Sequence, residues 1–518
     1  MNFANIPSPV VNTEQLPESL SRRAFFGGKS VAAAAVTAAI SVPSLTQAAV
    51  PGSEIDDTLH IINRLTMGVT PALYVDVNAM GVDAFIEQQL DPSSIDDTVT
   101  EAMVSQFARL DMSAAELQTI KKRAPIRQEL HGATVIRAVH SNRQLQEVMV
   151  DFWSNHFNVD THKKGTAFYK PADDKGIREL ALGNFSDLLM FTAKSPAMLE
   201  YLDNRQSRAN RNRIPNENYA RELMELHTLG VDGGYSEDDV LAVSYVLSGW
   251  SIKEGEFRFN ANANRLGPLN DGGDVMGWVP FVRERSVENG ESLINFLAYQ
   301  PATANFVCWK LCRYFVRDDI EQYHPLVAQV AEVFSQNDTE IVPTLSAIFA
   351  SDEFRQSKGE KVKRSNELMY SILRATGAAI NVEQPQRLGN HLRKHLLKMD
   401  QGLFECEPPT GYPVEASAYI NTNAMVNRWN IGFAIAANRL SKYVRVNQMS
   451  WIDSPANVKE LVEQLSQRLM SRQLEASEKQ ALYSQLGKAP EDVVKRRDIR
   501  QIKTLAGLIF ASSSFQIR

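Results

Sequence analysis

Beyond residue 50, apolar side chains recur mostly every three or four positions, the period of a helix that buries one face. The longest periodic stretches run over about 113–157, 301–316, 360–377, 415–440 and 453–513. Local signals punctuate them. Thr70-Pro71 reads as an N-cap followed by proline at the first helical position, with Gly81 closing that helix. Ser195-Pro196 repeats the device before AMLEYLD, and Ser236 with Asp239 makes a capping-box start to SEDDVLAVSYVLSGW.

Strand-like alternation is confined to SIKEGEFRFN (251–260) and a weaker signal at VMGWVPFV (275–282). The Gly- and Asn-rich segment between them reads as a loop. The pattern therefore predicts a mainly α protein: a large multi-helix domain with a small β insertion near 251–282. No glycine-rich phosphate loop follows a strand, and neither G-x-S-x-G nor H-E-x-x-H occurs.

The N-terminal 48 residues follow a different rule. Paired Arg22 and Arg23 precede Phe25 and Phe26, then the mildly apolar run VAAAAVTAAI, then a small-x-small site ending at Ala48. Charged, apolar and small in that order is the grammar of a secretory signal, and the arginine pair points to the twin-arginine route. The run is too short and too weakly apolar for a stable transmembrane span. The expected organisation is a signal peptide over 1–48, a helical domain over 49–445 and a helical extension over 446–518. Periplasmic or extracellular residence follows from that reading.

Composition changes little else. A chain of 518 residues that is 44% hydrophobic and 22% charged can bury a large core. A formal charge of −6 argues against a general affinity for nucleic acid. Cys308 and Cys312, four apart, share a helix face and read as small apolar core residues, because a disulfide across one turn would be strained.

Candidate chemistry concentrates in IPNENYARELMELHTLG (214–230). On a helix starting after Asn216, at about 100° per residue, Tyr219, Ala220, Leu223 and Leu226 share an arc. Glu217, Arg221 and Glu225 form an acid–base–acid ladder opposite. His227 falls within the apolar arc and Glu222 at its edge, where an unpaired polar group is costly. Upstream, LQEVMVDFWSNHFN (145–158) places His156 on an apolar arc with Leu145, Val148, Met149 and Phe152, and Glu147, Asp151 and Asn155 on the other side.

Two inward histidines, with Asp203 and Glu222 available, suggest one shared polar pocket. His156, Glu222 and His227 could ligate a divalent metal. Alternatively His156, Asp203, Arg221, Glu222 and His227 could perform acid–base work without one, with Arg221 holding an anion. The spacing does not choose between these readings. RQSRANRNR (205–213), with four arginines, reads as a solvated loop or as a clamp for an anionic ligand.

Several blocks then carry a resemblance: HIINRLTMGVTP (60–71), FWSNHFNV (152–159), PNENYARELMELHTLGV (215–231), YSEDDVLAVSYVLSGW (235–250), KVKRSNEL (361–368) and PPTGYP (408–413). In this order they resemble the bacterial domain-of-unknown-function 1800 family. The resemblance implies export and a partner encoded alongside, from the sulfatase-like domain-of-unknown-function 1501 family. It implies no established reaction. Members commonly carry a His-Asp pair before a glycine after the Gly-Trp pair; here LNDGGD (269–274) keeps Asp271 without the histidine. The expected function is recognition or processing of an anionic envelope or extracellular molecule, with a non-catalytic accessory role beside the sulfatase-like partner as the alternative.

Overall fold

The computed structural model describes residues 55–209, 213–282 and 284–518. Residues Val50–Arg518 make one compact unit. The arginine pair and the apolar run of the expected signal peptide lie outside the described residues. The fold is mainly α, with two two-stranded sheets among the described residues.

The elements that build the site are α1 (Asp57–Leu65), α2 (Ala124–His140), α3 (Gln144–His156), α4 (Lys170–Leu180), α5 (Asn218–Glu222), α6 (Glu237–Leu247), β1 (Trp250–Lys253), β2 (Glu256–Phe259), α7 (Pro301–Phe315), α8 (Ser365–Thr376), β3 (Ala379–Ile380), α9 (Pro385–Lys398), α10 (Thr422–Ala436), β4 (Val444–Arg445) and α11 (Ile502–Ala511). The caps work as their residue types dictate. Thr70 accepts from the Leu73 amide ahead of a helix at Pro71–Met80, Ser195 caps the helix at Pro196, and Ser236 with Asp239 forms a reciprocal capping box at the start of α6. The long periodic stretches are broken by short turns, so 113–157 holds three helices rather than one.

Helix α8 is the axis of the core, with all of its residues buried. Helix α9 lies across α2, the most extensive helix pair in the molecule. At that crossing a Cβ on Gly389 would fall 1.7 Å from the Gln128 carbonyl oxygen, so only glycine permits the approach. Helix α11 packs on α10, and residues 515–518 are stitched to the segment before α8. Lys363 donates its amide to the Gln516 carbonyl at 2.8 Å, and Arg518 donates to the Lys361 carbonyl at 2.8 Å. Residues 446–518 thus belong to the same compact unit as the rest.

The alternating run 251–260 is a hairpin, not a single strand. β1 pairs antiparallel with β2, from Trp250 opposite Phe259 to Lys253 opposite Glu256. The turn falls at Glu254 and Gly255, both at positive φ, the backbone of a two-residue hairpin turn that follows strand twist. No strand forms at 275–282 among the described residues. Val275 and Trp278 make an isolated bridge around Met276 and Gly277, both at positive φ. Four residues closing a tight turn mimic alternation without extending a sheet. Cys308, Cys312 and Cys406 are free and buried.

Candidate functional site

The structure brings His156 and His227 together, with ring centroids 6.2 Å apart. Helix α5 starts close to where its sequence predicts, and Asn216 Oδ1 accepts the Asn218 amide at 3.0 Å. It then widens into a π-helical segment over Leu223–Thr228. Leu229 donates its amide to the Met224 carbonyl, five residues back, at 2.8 Å. Each turn now takes up more residues than an α-helical wheel allows. Met224 is consequently buried, whereas Leu226, expected on the buried arc, is only half-buried; His227 is buried, as its place on that arc predicts.

A helix end leaves carbonyls without partners. His156 supplies one, its Nε2 donating to the His227 carbonyl at 3.2 Å. A carbonyl can only accept, so Nε2 carries the proton and Nδ1 is the acceptor. Lys310, on α7, is its donor, at 2.8 Å. Rings of Phe152, Trp153, Phe157, Phe185 and Phe306 surround the imidazole at 4.5–6.4 Å between centroids. Burial, then the charge of Lys310, holds His156 well below the ordinary histidine range. The same two causes hold His227 down to about 3, and burial and Arg313 lower Lys310 to about 8.

Both nitrogens of His156 are therefore committed within the protein. Among the described residues, no group of three or more His, Cys, Asp or Glu side chains is placed to hold a metal ion. The set His156, Glu222 and His227 thus does not present converging donors for a divalent metal. Glu222 is half-buried, its carboxyl raised by burial and by Glu225. Asp203 is elsewhere: exposed, at a left-handed φ of 64°, and paired with Lys163 at 2.9 Å. Arg221 faces outward and grips Glu237 of α6 with two hydrogen bonds of 2.9 and 2.6 Å, with Glu217 at 3.6 Å. The ladder is real for Glu217 and Arg221, but its strongest rung comes from α6. In the arginine loop, Arg205 pairs with Glu200 at 2.8 Å, while Asn210, Arg211 and Asn212 lie outside the described residues. Asp271 is exposed in a short 3-10 turn.

The polar side of α3 leads to a different place. Glu147, Asp151 and Asn155 line a cavity of about 50 Å³, together with Asp174 and Arg178 of α4, with Arg364, Asn366 and Tyr370, and with the loop from Gln401 to Tyr412. Its walls are cross-braced. Arg178 pairs with Glu147, and Arg364 with Asp151. Asn366 Nδ2 donates to Asp151 Oδ1 at 2.9 Å. Asn155 exchanges two hydrogen bonds with the Tyr412 backbone, at 2.8 and 2.7 Å.

The glycine of PPTGYP permits that last contact. Gly411 sits at φ 73°, where a Cβ would fall 2.3 Å from the Asn155 carbonyl oxygen. Behind the cavity, Arg364 and Arg518 share the Glu367 carboxylate at 2.8 and 2.9 Å, and both guanidinium groups lie over the Tyr314 ring. Burial opposes the charge of Glu367, but the two arginines hold its carboxyl down to about 2. Four residues that line it carry side-chain atoms without a hydrogen-bond partner: the Tyr370 hydroxyl, Ser154 Oγ, Asp174 Oδ1, and Nε and Nη2 of Arg178.

Sequence periodicity separates the polar face of α3 from its apolar face but does not say what the polar face meets. The signals available were Arg364 and Asn366 inside KVKRSNEL and Tyr412 inside PPTGYP. Tyr370, Gln401 and Arg178 carried none.

The fold is that of a mainly helical protein with small β elements. The chain belongs to the family described as Protein of unknown function (DUF1800), whose model matches residues 60–517. No curated protein and no solved structure shows significant similarity to it.

Proposed function

We propose that the protein is exported by the twin-arginine route and, in the periplasm or outside the cell, recognises a small hydroxyl-rich molecule of the envelope or surroundings in the cavity between α3, α4 and α8. The observation that carries this reading is the set of unpartnered buried polar atoms on residues that line one cavity: the Tyr370 hydroxyl, Ser154 Oγ, Asp174 Oδ1, and Nε and Nη2 of Arg178. Leaving such a group unsatisfied costs about 1–3 kcal/mol. A ligand carrying both donors and acceptors recovers that cost.

An uncharged ligand suits the walls better than the anion expected from the sequence. Arg178 pairs with Glu147 and lies 3.7 Å from Asp174, and Arg364 pairs with Asp151, so the charges of the walls are balanced. Arg221, the expected anion holder, is engaged by Glu237. The test is a thermal-shift panel of neutral mono- and disaccharides and polyols against acidic sugars at matched ionic strength. Stabilisation by neutral hydroxylated compounds is the expected result. A panel in which only acidic members act would overturn the reading.

An accessory role beside a sulfatase-like partner draws support from Val279 and Phe281, 60% and 79% exposed. A stable complex isolated with that partner, with no shift from any panel member, would favour it.

A further inference from the structure

A second pocket, of about 880 Å³, opens between α2, the start of α3 and the helices at Pro71–Met80 and Val82–Leu90. Its base and its walls differ in chemistry. At the base lies Arg374 of α8, only 7% exposed. Its Nε and Nη1 donate to the Gly68 and Val139 carbonyls at 2.6 and 2.8 Å. Among the described residues no carboxylate pairs with it, unlike Arg364 at the start of the same helix. Burial alone lowers its affinity for its proton, to about 10.

Beside it His140 also lines the pocket, and its Nε2 is buried without a partner. The walls are mixed: Leu73, Val77, Phe85 and Ile95 give an apolar part, with Met80 exposed on the same helix as Leu73, and Thr70, Gln88, Ser94 and Asn142 a polar one. Asp76 and Asp96, also lining the pocket, are exposed.

We infer that this pocket binds an amphipathic monocarboxylate, with the carboxylate on Arg374 and His140 and the hydrocarbon part against the apolar part of the walls. A buried guanidinium without a counter-charge is expensive, and a carboxylate is its planar, bidentate match. The apolar part of the walls gives the rest of such a molecule a surface to leave water for. The two aspartates disfavour polyanions, so a singly charged acid fits where phosphate does not. The site shares no lining residue with the cavity between α3, α4 and α8 apart from the neighbouring course of the same helices, so either reading can fail without the other.

The probe is 4-bromobenzoate, with 4-bromobenzamide as its uncharged twin and inorganic phosphate as the polyanion. The acid should raise the melting temperature, and crystals soaked in it should show anomalous bromine density in this pocket. The amide and phosphate should do neither. Arg374→Gln should weaken binding by about tenfold or more, as expected for losing a charged hydrogen-bonded pair. Because Arg374 also ties two carbonyls, Met80→Trp serves as the second variant. Met80 is 44% exposed, so the larger ring should block the pocket without touching the buried base. Absence of bromine density here, equal binding of the amide, or undiminished binding by Met80→Trp would each overturn the assignment.

Discussion

Lys310 Nζ lies 2.8 Å from His156 Nδ1, the ring nitrogen that the His227 carbonyl on the other side leaves free to accept. The proton stays on Nε2, where it ties the end of the π-helical segment through the His227 carbonyl. His156→Gln would preserve a donor near that carbonyl but remove the acceptor for the ammonium. In a double-mutant cycle with Lys310→Met, followed by urea unfolding, the pair should show a coupling of about 1–2 kcal/mol, at the low end for a charged hydrogen bond because Lys310 is half-buried. Additive effects within about 0.3 kcal/mol would mean that the contact does not orient the ring.

Acid should weaken the fold in two windows. His60, His131 and His227 are each held neutral, chiefly by burial, at about 3 against an ordinary 6.5. Their contribution is complete above 6.5 and is lost as pH falls toward 3, because only the unfolded chain takes up those protons. Glu367, held at about 2 by Arg364 and Arg518 against burial, adds a loss as pH falls from 4.5 toward 2. Stability measured from pH 7 to 4 should decline, and His227→Gln should reduce its slope by about 1.4 kcal/mol per pH unit. Parallel curves for the two proteins would refute the assignment.

Arg221 should matter little to stability. It is partly exposed, and its partners Glu217 and Glu237 are more so. Arg221→Gln should cost under about 1 kcal/mol, less in high salt. A loss of several kcal/mol would show that the α5–α6 clasp does more than decorate the surface.

Tyr370→Phe separates a ligand site from a packing defect. The hydroxyl is buried without a partner, so in ligand-free protein its removal should leave stability unchanged or raise it by about 1 kcal/mol. Any stabilisation by a neutral saccharide should fall in the same variant. A marked loss of stability without ligand would mean that the hydroxyl already has a structural duty.

Export is tested by changing Arg22 and Arg23 together to Lys. The precursor should accumulate in the cytoplasm, and the mature wild-type chain should begin near Ala49. Normal maturation of the double variant would rule out the twin-arginine route.

The helical class and the caps at Thr70, Ser195 and Ser236 were legible because each depends on neighbours within four residues. The phase of the 214–230 helix was legible for Tyr219, Ala220 and His227 but not for Leu226, three residues beyond Leu223. Beyond it the π turn changes the angle per residue, and no local residue type announces that change. The cavity was half legible: periodicity isolates Glu147, Asp151 and Asn155 as one face, but solvent and a polar cavity demand the same residue types. What decides between them is the arrival of Arg364 and Asn366 more than two hundred positions later. Pairings at that separation leave no imprint on a single sequence.

The stitching of residues 515–518 onto the 361–363 segment has a consequence in time. A ribosome delivers α8 well before it delivers Gln516 and Arg518, yet Glu367 needs Arg518 and Arg428 needs Gln516. Until those residues emerge, the central helix waits with buried charges half matched and the groove beside Lys361 open. The core around Glu367 therefore closes only once residues 515–518 have found their place, however early α8 itself becomes helical.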